Sequence, residues 1–287
     1  MNFLIVLLAV VLLEAYADLG PVQRDGWLKK WFGWLGNSTF SDRQTHPSAL
    51  RLLVFITVPV FGVYLVLDAL EQSHWGLLLF CLELLVLLYG MGRGNLDRQI
   101  ELLRSDFQAD DFQAAFHDAA GFNQAYREGK AETKQALSDE IFAALPYRMF
   151  ERSFVVIFWF FLLGAPVALA YRLLALYGDL TLYGDPEKST NNAYRPLWLL
   201  EWLPVRALGL TVGLMGNFSR TSGMMQAALF SKKVSSAEFL QRAVKGALSE
   251  SNAPLDLNQQ SLDAVVALFR RAMTTWLVVI AILVILG

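Results

Sequence analysis

Long apolar blocks separated by polar segments dominate this sequence. A membrane-spanning helix needs about 20 mainly apolar residues, and several blocks approach that length without a charged residue. The blocks cover residues 1–13, 52–67, 75–92, 154–171 and 272–287. A sixth stretch, 197–218, is apolar overall but contains Glu201, Pro204 and Arg206. The pattern predicts an all-α, polytopic integral membrane protein with five to six membrane helices.

Individual blocks carry features that shape the predicted helices. Pro59 lies in the middle of 52–67 and should kink that helix, because proline removes a backbone donor. Only residues 71–74 separate this block from the next, so the two helices should form a tight antiparallel hairpin. The block 154–171 contains no charge and predicts one uninterrupted span. The first block lacks the Lys or Arg of a signal peptide, so we expect a retained helix.

Basic residues predict the sidedness of the loops, because Lys and Arg concentrate in cytoplasmic loops. The segment 93–153 contains eight of them and 219–271 contains seven, whereas the turn 71–74 contains none. The segment 172–196 contains three and is expected outside. The main loops are therefore predicted to be cytoplasmic, which requires 197–218 to cross the bilayer.

We expect a single membrane domain, 1–287, with a cytoplasmic helical insert at 93–153 and a second cytoplasmic segment at 219–263. Apolar residues recur there with helical period and predict amphipathic helices at 96–120, 131–145 and 236–248.

Three residues mark expected helix limits in these segments. Asp110 is the expected N-cap where the first amphipathic helix is interrupted. Pro146 is expected to end the second helix. Ser236 is expected to cap the third helix, with Glu238 in its first turn complementing the helix dipole.

Composition narrows the function classes. The chain has 55% hydrophobic and 17% charged residues, with a mean hydropathy of +0.40, whereas soluble domains carry about 25% charged residues. The net charge of -2 excludes a broadly basic nucleic-acid binder. The single cysteine, Cys81, excludes an internal disulfide framework, and three scattered histidines argue against a zinc site.

Glu83 and Glu14 are candidate functional carboxylates. Glu83 lies near the middle of the block 75–92, where an ionised group is costly, so it should face a polar interior with a partner or stay protonated. Its role is proton relay, ion coordination or substrate binding, or else a neutral hydrogen bond to a neighbouring helix. Glu14 directly follows the first apolar block.

Arg206 and Glu201 are charged residues inside the sixth stretch. Pro204 should break the helix just before Arg206, and a broken membrane helix exposes backbone groups that line a site. Glu201 would pair with Arg206 or with a ligand cation. The alternative is a helix in the membrane interface, anchored by Trp198 and Trp202.

Motifs for nucleotide binding are weak. The glycine-rich sequence 90–94 follows an apolar helix rather than a strand, and 184–190 has Lys-Ser-Thr without P-loop spacing. Gly209 and Gly213 have the GxxxG spacing that lets helices approach closely, in a homodimer or within the chain.

Two stretches carry a family resemblance. Residues 158–174 have the sequence FWFFLLGAPVALAYRLL, and residues 200–210 have LEWLPVRALGL. With the order of hairpin, insert and terminal span, they resemble the AmpE family of inner-membrane proteins associated with β-lactamase induction. That family is similar to the cobalamin-pathway CobD/CbiB superfamily, whose Pro-Ala-Arg corresponds to 204–206 here. The superfamily's Thr-x-Asp sequence has no counterpart at 191–200, which argues against cobalamin chemistry.

The resemblance implies a bacterial inner-membrane signalling protein that responds to cell-wall recycling products. We expect it to bind a small anionic or muropeptide-like ligand, because the arginine fork matches carboxylate or phosphate. The candidate ligand-binding residues are Arg206, Tyr171, Arg172, Glu201, Glu83 and Glu14. No metal, cofactor or nucleic acid is expected, and the catalytic residues are unknown. The alternatives are a membrane enzyme with ATP-dependent amide-forming chemistry and a small transporter that uses Glu83.

Overall fold

The computed structural model of the protein describes residues 2–15, 22–37, 49–91, 96–122, 128–182, 194–249 and 258–286. Within these residues the chain forms thirteen α-helices and no strand, which confirms the all-α prediction. The helices are α1 (Asn2–Ala15), α2 (Gly26–Asn37), α3 (Ala49–Gln72), α4 (Gly76–Gly90), α5 (Leu96–Gln108), α6 (Phe112–Ala119), α7 (Lys134–Met149), α8 (Val155–Leu163), α9 (Ala165–Leu182), α10 (Tyr194–Met215), α11 (Phe218–Met225), α12 (Ser236–Leu248) and α13 (Gln259–Leu286). A π-helical turn, Phe150–Phe154, joins α7 to α8.

Three of the described helices, α3, α10 and α13, are long and apolar enough to cross a membrane, and α1 and α4 are shorter apolar helices. Large apolar side chains such as Leu53 and Phe61 on α3 and Ile285 on α13 are exposed. Exposed apolar surface on this scale suits hydrocarbon rather than water. The chain is therefore a membrane protein, while the five to six crossings and the sides of the loops stay predictions.

The uninterrupted span predicted at 154–171 is wrong. Gly164 lies between α8 and α9 with a φ of 83°, a left-handed conformation that glycine adopts without strain and that ends a helix. The two helices pack against each other instead of continuing along one axis. Gly164 therefore ends the helix to which α8 belongs, and α9 begins a new one.

Two prolines lie inside helices that they were expected to end or break, so both expectations are wrong. Pro146 is within α7, which continues through the π-helical turn into α8. Pro204 is within α10, which is helical from Tyr194 to Met215. A proline removes a single backbone donor, and a helix survives when the acceptor left behind finds another donor.

Two expected caps are shifted by one residue. Asp111, not Asp110, caps α6, and its side chain accepts a hydrogen bond from Ala114 N at 3.0 Å. Ser235, not Ser236, caps α12 through a 3.2 Å bond from Glu238 N. In both cases the cap is the residue with extended backbone, which frees its side chain to reach the first turn.

The predicted hairpin of α3 and α4 is present. His74 has a φ of 57° and closes α3: its N–H donates to Glu71 O, and Trp75 N–H donates to Leu70 O, both at 3.2 Å. These two bonds satisfy carbonyls at the helix end, and α4 then packs against α3.

The chain divides into two compact units. The first, Met1–Gly94 with Val155–Leu200, contains α1 to α4, α8 and α9, and α9 packs against α3, α4 and α8. The second, Asn95–Phe154 with Glu201–Gly287, contains α5 to α7, most of α10, and α11 to α13, with α12 packed against α7 and α11. The residues 92–94 and 184–190 of the weak nucleotide motifs lie outside the described residues.

Candidate functional site

A buried polar network in the first unit holds Arg172. This side chain projects from α9 and is 4% exposed, and its Nη2 lies 3.4 Å from Oδ2 of Asp25, which immediately precedes α2. Oδ1 of Asp25 accepts a hydrogen bond from the Tyr89 hydroxyl of α4 at 3.1 Å. The carboxylate of Asp25 therefore pairs with a buried guanidinium and joins the start of α2 to α4 and α9.

Tyr171 directly precedes Arg172 on α9 and is buried. Two turns along the chain, Tyr177 packs edge-on against Phe32 and Phe55, with ring centroids 5.6 and 5.2 Å away. The expected ligand residue Tyr171 thus lies on a helix that aromatic packing fixes in place.

The second unit contains a group of buried charged side chains near the π-helical turn. Arg148 Nη1 and Glu151 Oε2 are 3.2 Å apart and both side chains are buried. Glu201, on α10, accepts a hydrogen bond from the Tyr147 hydroxyl at 2.8 Å. The expected Glu201 therefore belongs to a polar cluster with Tyr147, and all of these residues lie in the same unit.

Arg206 binds backbone carbonyls. Its Nε donates to Leu229 O at 2.7 Å, Nη1 to Trp202 O at 3.1 Å and Nη2 to Ser231 O at 3.3 Å. The guanidinium carbon also lies 4.5 Å from the Trp202 ring and 5.1 Å from the Phe239 ring. Arg206 thus holds the segment between α11 and α12 against α10, and no carboxylate of the described residues pairs with it.

The two other expected carboxylates lie in the first unit. Glu83 is half-buried on α4, and its Oε2 is buried with no hydrogen-bond partner among the described residues. Glu14 is exposed near the end of α1. The expected ligand residues therefore fall into two groups: Glu14, Glu83, Tyr171 and Arg172 in the first unit, and Glu201 and Arg206 in the second.

A hydrogen bond joins the two motifs that carry the family resemblance. Pro204 has no N–H, so it cannot donate to Leu200 O one turn earlier in α10. The indole Nε1 of Trp159, on α8, donates to that carbonyl at 3.0 Å. The indole therefore replaces the missing backbone donor and explains how α10 stays helical.

The GxxxG glycines lie against other helices of the second unit. A Cβ at Gly209 would stand 2.6 Å from Phe239 Cε1, and one at Gly213 would stand 2.9 Å from Thr221 Cγ2. Both glycines therefore serve close packing of α10 within the chain.

An acidic cavity of about 260 Å³ lies in the second unit, lined by Asp106, Asp110 and Lys134 among others. Burial raises the pKa of Asp106, and the charges of Asp118 and Asp111 raise it further. Lys134 pairs with Asp110 at 2.9 Å. The described residues contain no group of three His, Cys, Asp or Glu side chains placed to hold a metal ion.

Sequence reasoning missed Asp25, Tyr89, Tyr147, Arg148 and Glu151. Arg148 is one of the eight basic residues of 93–153, and Glu151 carries the opposite charge three residues later. This helical spacing directly before an apolar block is a usable signal. Asp25 gave no such signal, because its partners lie far along the chain.

The comparisons with known proteins agree with the resemblance. The family model of AmpE, described as a regulatory signalling modulator protein, matches residues 4–287. No curated protein and no solved structure matches the chain. Since the match covers nearly the whole sequence, including both motifs joined by Trp159 and Leu200, the chain belongs to the AmpE family.

Proposed function

We propose that this protein is an inner-membrane regulator that acts in β-lactamase induction and responds to products of cell-wall recycling. The observation that carries the proposal is the AmpE family match over residues 4–287. The apolar helices support a site of action in the membrane. In the proposed arrangement the chain crosses five to six times, and the basic segments 93–153 and 219–271 face the cytoplasm.

We infer that the signal is a small anion, such as the carboxylate of a muropeptide, and that Arg206 attracts it. Each terminal guanidinium nitrogen carries two N–H groups, so Nη1 and Nη2 each keep one donor beyond their carbonyl bonds. The positive charge has no carboxylate partner among the described residues, and two aromatic rings cover it. Reduced access of water strengthens its attraction for an anion.

Induction measured in a deletion strain tests this function. β-Lactamase activity after addition of an inducer should change on deletion and return to normal with the wild-type gene. Arg206→Gln should fail to restore the response, because it removes the charge, whereas Arg206→Lys should restore part of it.

Arg220→Gln is the matched control, since Arg220 also donates to a backbone carbonyl, Ser249 O at 3.3 Å, in the same unit. It should restore the response fully at equal membrane protein levels. An unchanged induction curve in the deletion strain would contradict the proposed function, and full activity of Arg206→Gln would contradict the ligand site alone.

A further inference from the structure

The helix α2 has two different apolar sides. Leu28 and Leu35, seven residues apart, share one side and are fully buried. Trp27, Trp31 and Trp34, spaced by four and three residues, share the neighbouring side. Trp27 is 47% exposed and Trp34 is 59% exposed. One apolar side of α2 is thus covered by the protein, while Trp27 and Trp34 on the neighbouring side are exposed.

The three tryptophans form an aromatic stripe along α2. The rings of Trp31 and Trp34 are stacked, with centroids 5.2 Å apart and an interplanar angle of 13°. Lys30 lies next to this stripe and Lys29 lies on the opposite side of the helix, and both are exposed. Tryptophan beside lysine is the composition of helices that lie in the headgroup region of a membrane.

Contacts with α3 fix where α2 lies. Trp31 Nε1 donates to Phe55 O at 3.4 Å, and Arg51 Nη2 donates to Phe32 O at 2.9 Å. These partners belong to the first two turns of α3, within about 9 Å of its start. Since α3 is long and apolar enough to cross a membrane, α2 is docked where such a span meets the headgroups.

We propose that α2 is an interfacial helix whose occupant is the phospholipid surface. Trp27 and Trp34 enter the boundary between headgroups and acyl chains, where tryptophan is enriched in membrane proteins. Lys30 binds headgroup phosphates, and Lys29 faces water. The lipid surface continues along the exposed apolar residues Leu53 and Phe61 of α3.

Spin-label accessibility in the full-length protein tests this placement. In a Cys81→Ser background, nitroxides are attached at Trp34→Cys and at Lys29→Cys, in nanodiscs of phosphatidylethanolamine and phosphatidylglycerol. Collision rates with oxygen, which concentrates in lipid, and with a water-soluble nickel chelate are then compared. The ratio of the oxygen collision rate to the nickel collision rate should be several-fold higher at position 34 than at position 29.

Two further labels calibrate the scale. Phe61→Cys, on the exposed face of α3, should give the lipid extreme, and Lys134→Cys, 71% exposed, should give the water extreme. A value at position 34 between these extremes and above that of position 29 supports the proposal. Equal, water-like values at positions 34 and 29 would overturn it. Because the residues at positions 34 and 29 are exposed, neither substitution should disturb folding. Circular dichroism of each variant checks this.

Discussion

Two buried arginines, one in each unit, are held in opposite ways. Arg172 faces the carboxylate of Asp25, so its charge is neutralised within the protein. Arg206 is bound by three carbonyl oxygens and two aromatic rings, none of which carries a full negative charge. The comparison teaches that burial alone does not identify a ligand-binding arginine. The charge of Arg172 has a counter-charge within the protein, whereas Arg206 keeps a charge that an anion would neutralise.

The largest expected effect comes from breaking the ion pair in the first unit. Asp25→Asn keeps an acceptor for Tyr89 but removes the negative charge facing Arg172. Loss of one member of a buried pair costs about 3–5 kcal/mol, and the 23% exposure of Asp25 places this case near the lower value. The free energy of unfolding, measured by denaturant titration in mixed micelles, should fall by about 3 kcal/mol.

The double variant Asp25→Asn/Arg172→Met is the control for the ion pair. It should recover most of the lost stability, because no guanidinium is left buried without its carboxylate. If the double variant is as unstable as the single one, the two residues are not coupled and the contrast with Arg206 fails.

The next effect tests the surroundings of Arg206. Gly209→Ala places a methyl group against Phe239, whose ring also covers Arg206. Overpacking of this kind costs about 1–3 kcal/mol. Thermal unfolding should begin at a lower temperature. The same variant should weaken binding of the proposed muropeptide ligand, measured by calorimetry on the purified protein.

Gly223→Ala is the matched control, because a Cβ there meets nothing within 4 Å. It should leave stability unchanged or raise it by up to about 1 kcal/mol through better helix propensity. Equal behaviour of the two variants would show that close packing near Phe239 is unimportant.

A smaller effect tests the hydrogen bond that Trp159 donates to α10. Trp159→Phe removes the donor to Leu200 O. A fully buried carbonyl left without a donor costs about 1–3 kcal/mol, and because this bond is only partly buried, we expect a loss of about 1 kcal/mol. Adding Pro204→Ala restores a backbone N–H to that carbonyl, so the double variant should be more stable than the sum of the single changes predicts. A double-mutant cycle with no coupling energy would rule out the replacement of a backbone donor by the indole.

The smallest expected effect concerns a negative charge, the half-buried carboxylate of Asp106, in place of a buried arginine. The raised pKa of Asp106 means that the folded protein binds its proton more tightly than the unfolded chain does. Stability therefore rises as the pH falls through the folded pKa, and at neutral pH the ionised carboxyl is unfavourable. At pH 7, Asp106→Asn should raise the free energy of unfolding by less than about 0.5 kcal/mol. The melting temperature should rise slightly as a result.

This gain should disappear as the pH falls below 3.8, the ordinary pKa of an aspartate. The exposed Glu132→Gln serves as the control for a general change of net charge. A gain from Asp106→Asn that is the same at every pH would contradict the electrostatic cause.

The sequence predicted the helices well because apolar blocks and helical periodicity depend on local composition. The α3–α4 hairpin and the continuous helix around Arg206 show the limit of that reasoning. The four residues between the two apolar blocks are enough to predict the hairpin. Pro204, in contrast, predicts a break in α10, because the sequence does not show that the distant indole of Trp159 supplies the missing donor. Gly164 was hidden for a related reason, since glycine is common inside membrane helices and only the backbone angle reveals the turn.

The candidate sites were predicted in part. Arg172, Glu201 and Arg206 stood out as charges beside or inside apolar sequence, and the structure describes all three as buried. Their partners did not stand out, because the Asp25 carboxylate and the Leu229 carbonyl are brought to them by tertiary packing. A backbone carbonyl in particular leaves no trace in the amino-acid sequence.

The bond from Trp159 to Leu200 has a consequence for the evolution of this family. The indole of Trp159 has a free carbonyl to bind on α10 only because position 204 lacks a backbone N–H. A relative with another residue in place of the proline would free its partner from supplying a donor, so that phenylalanine or leucine would serve there. The two positions should therefore vary together among AmpE sequences, as a compensating pair in which a side chain stands in for the backbone.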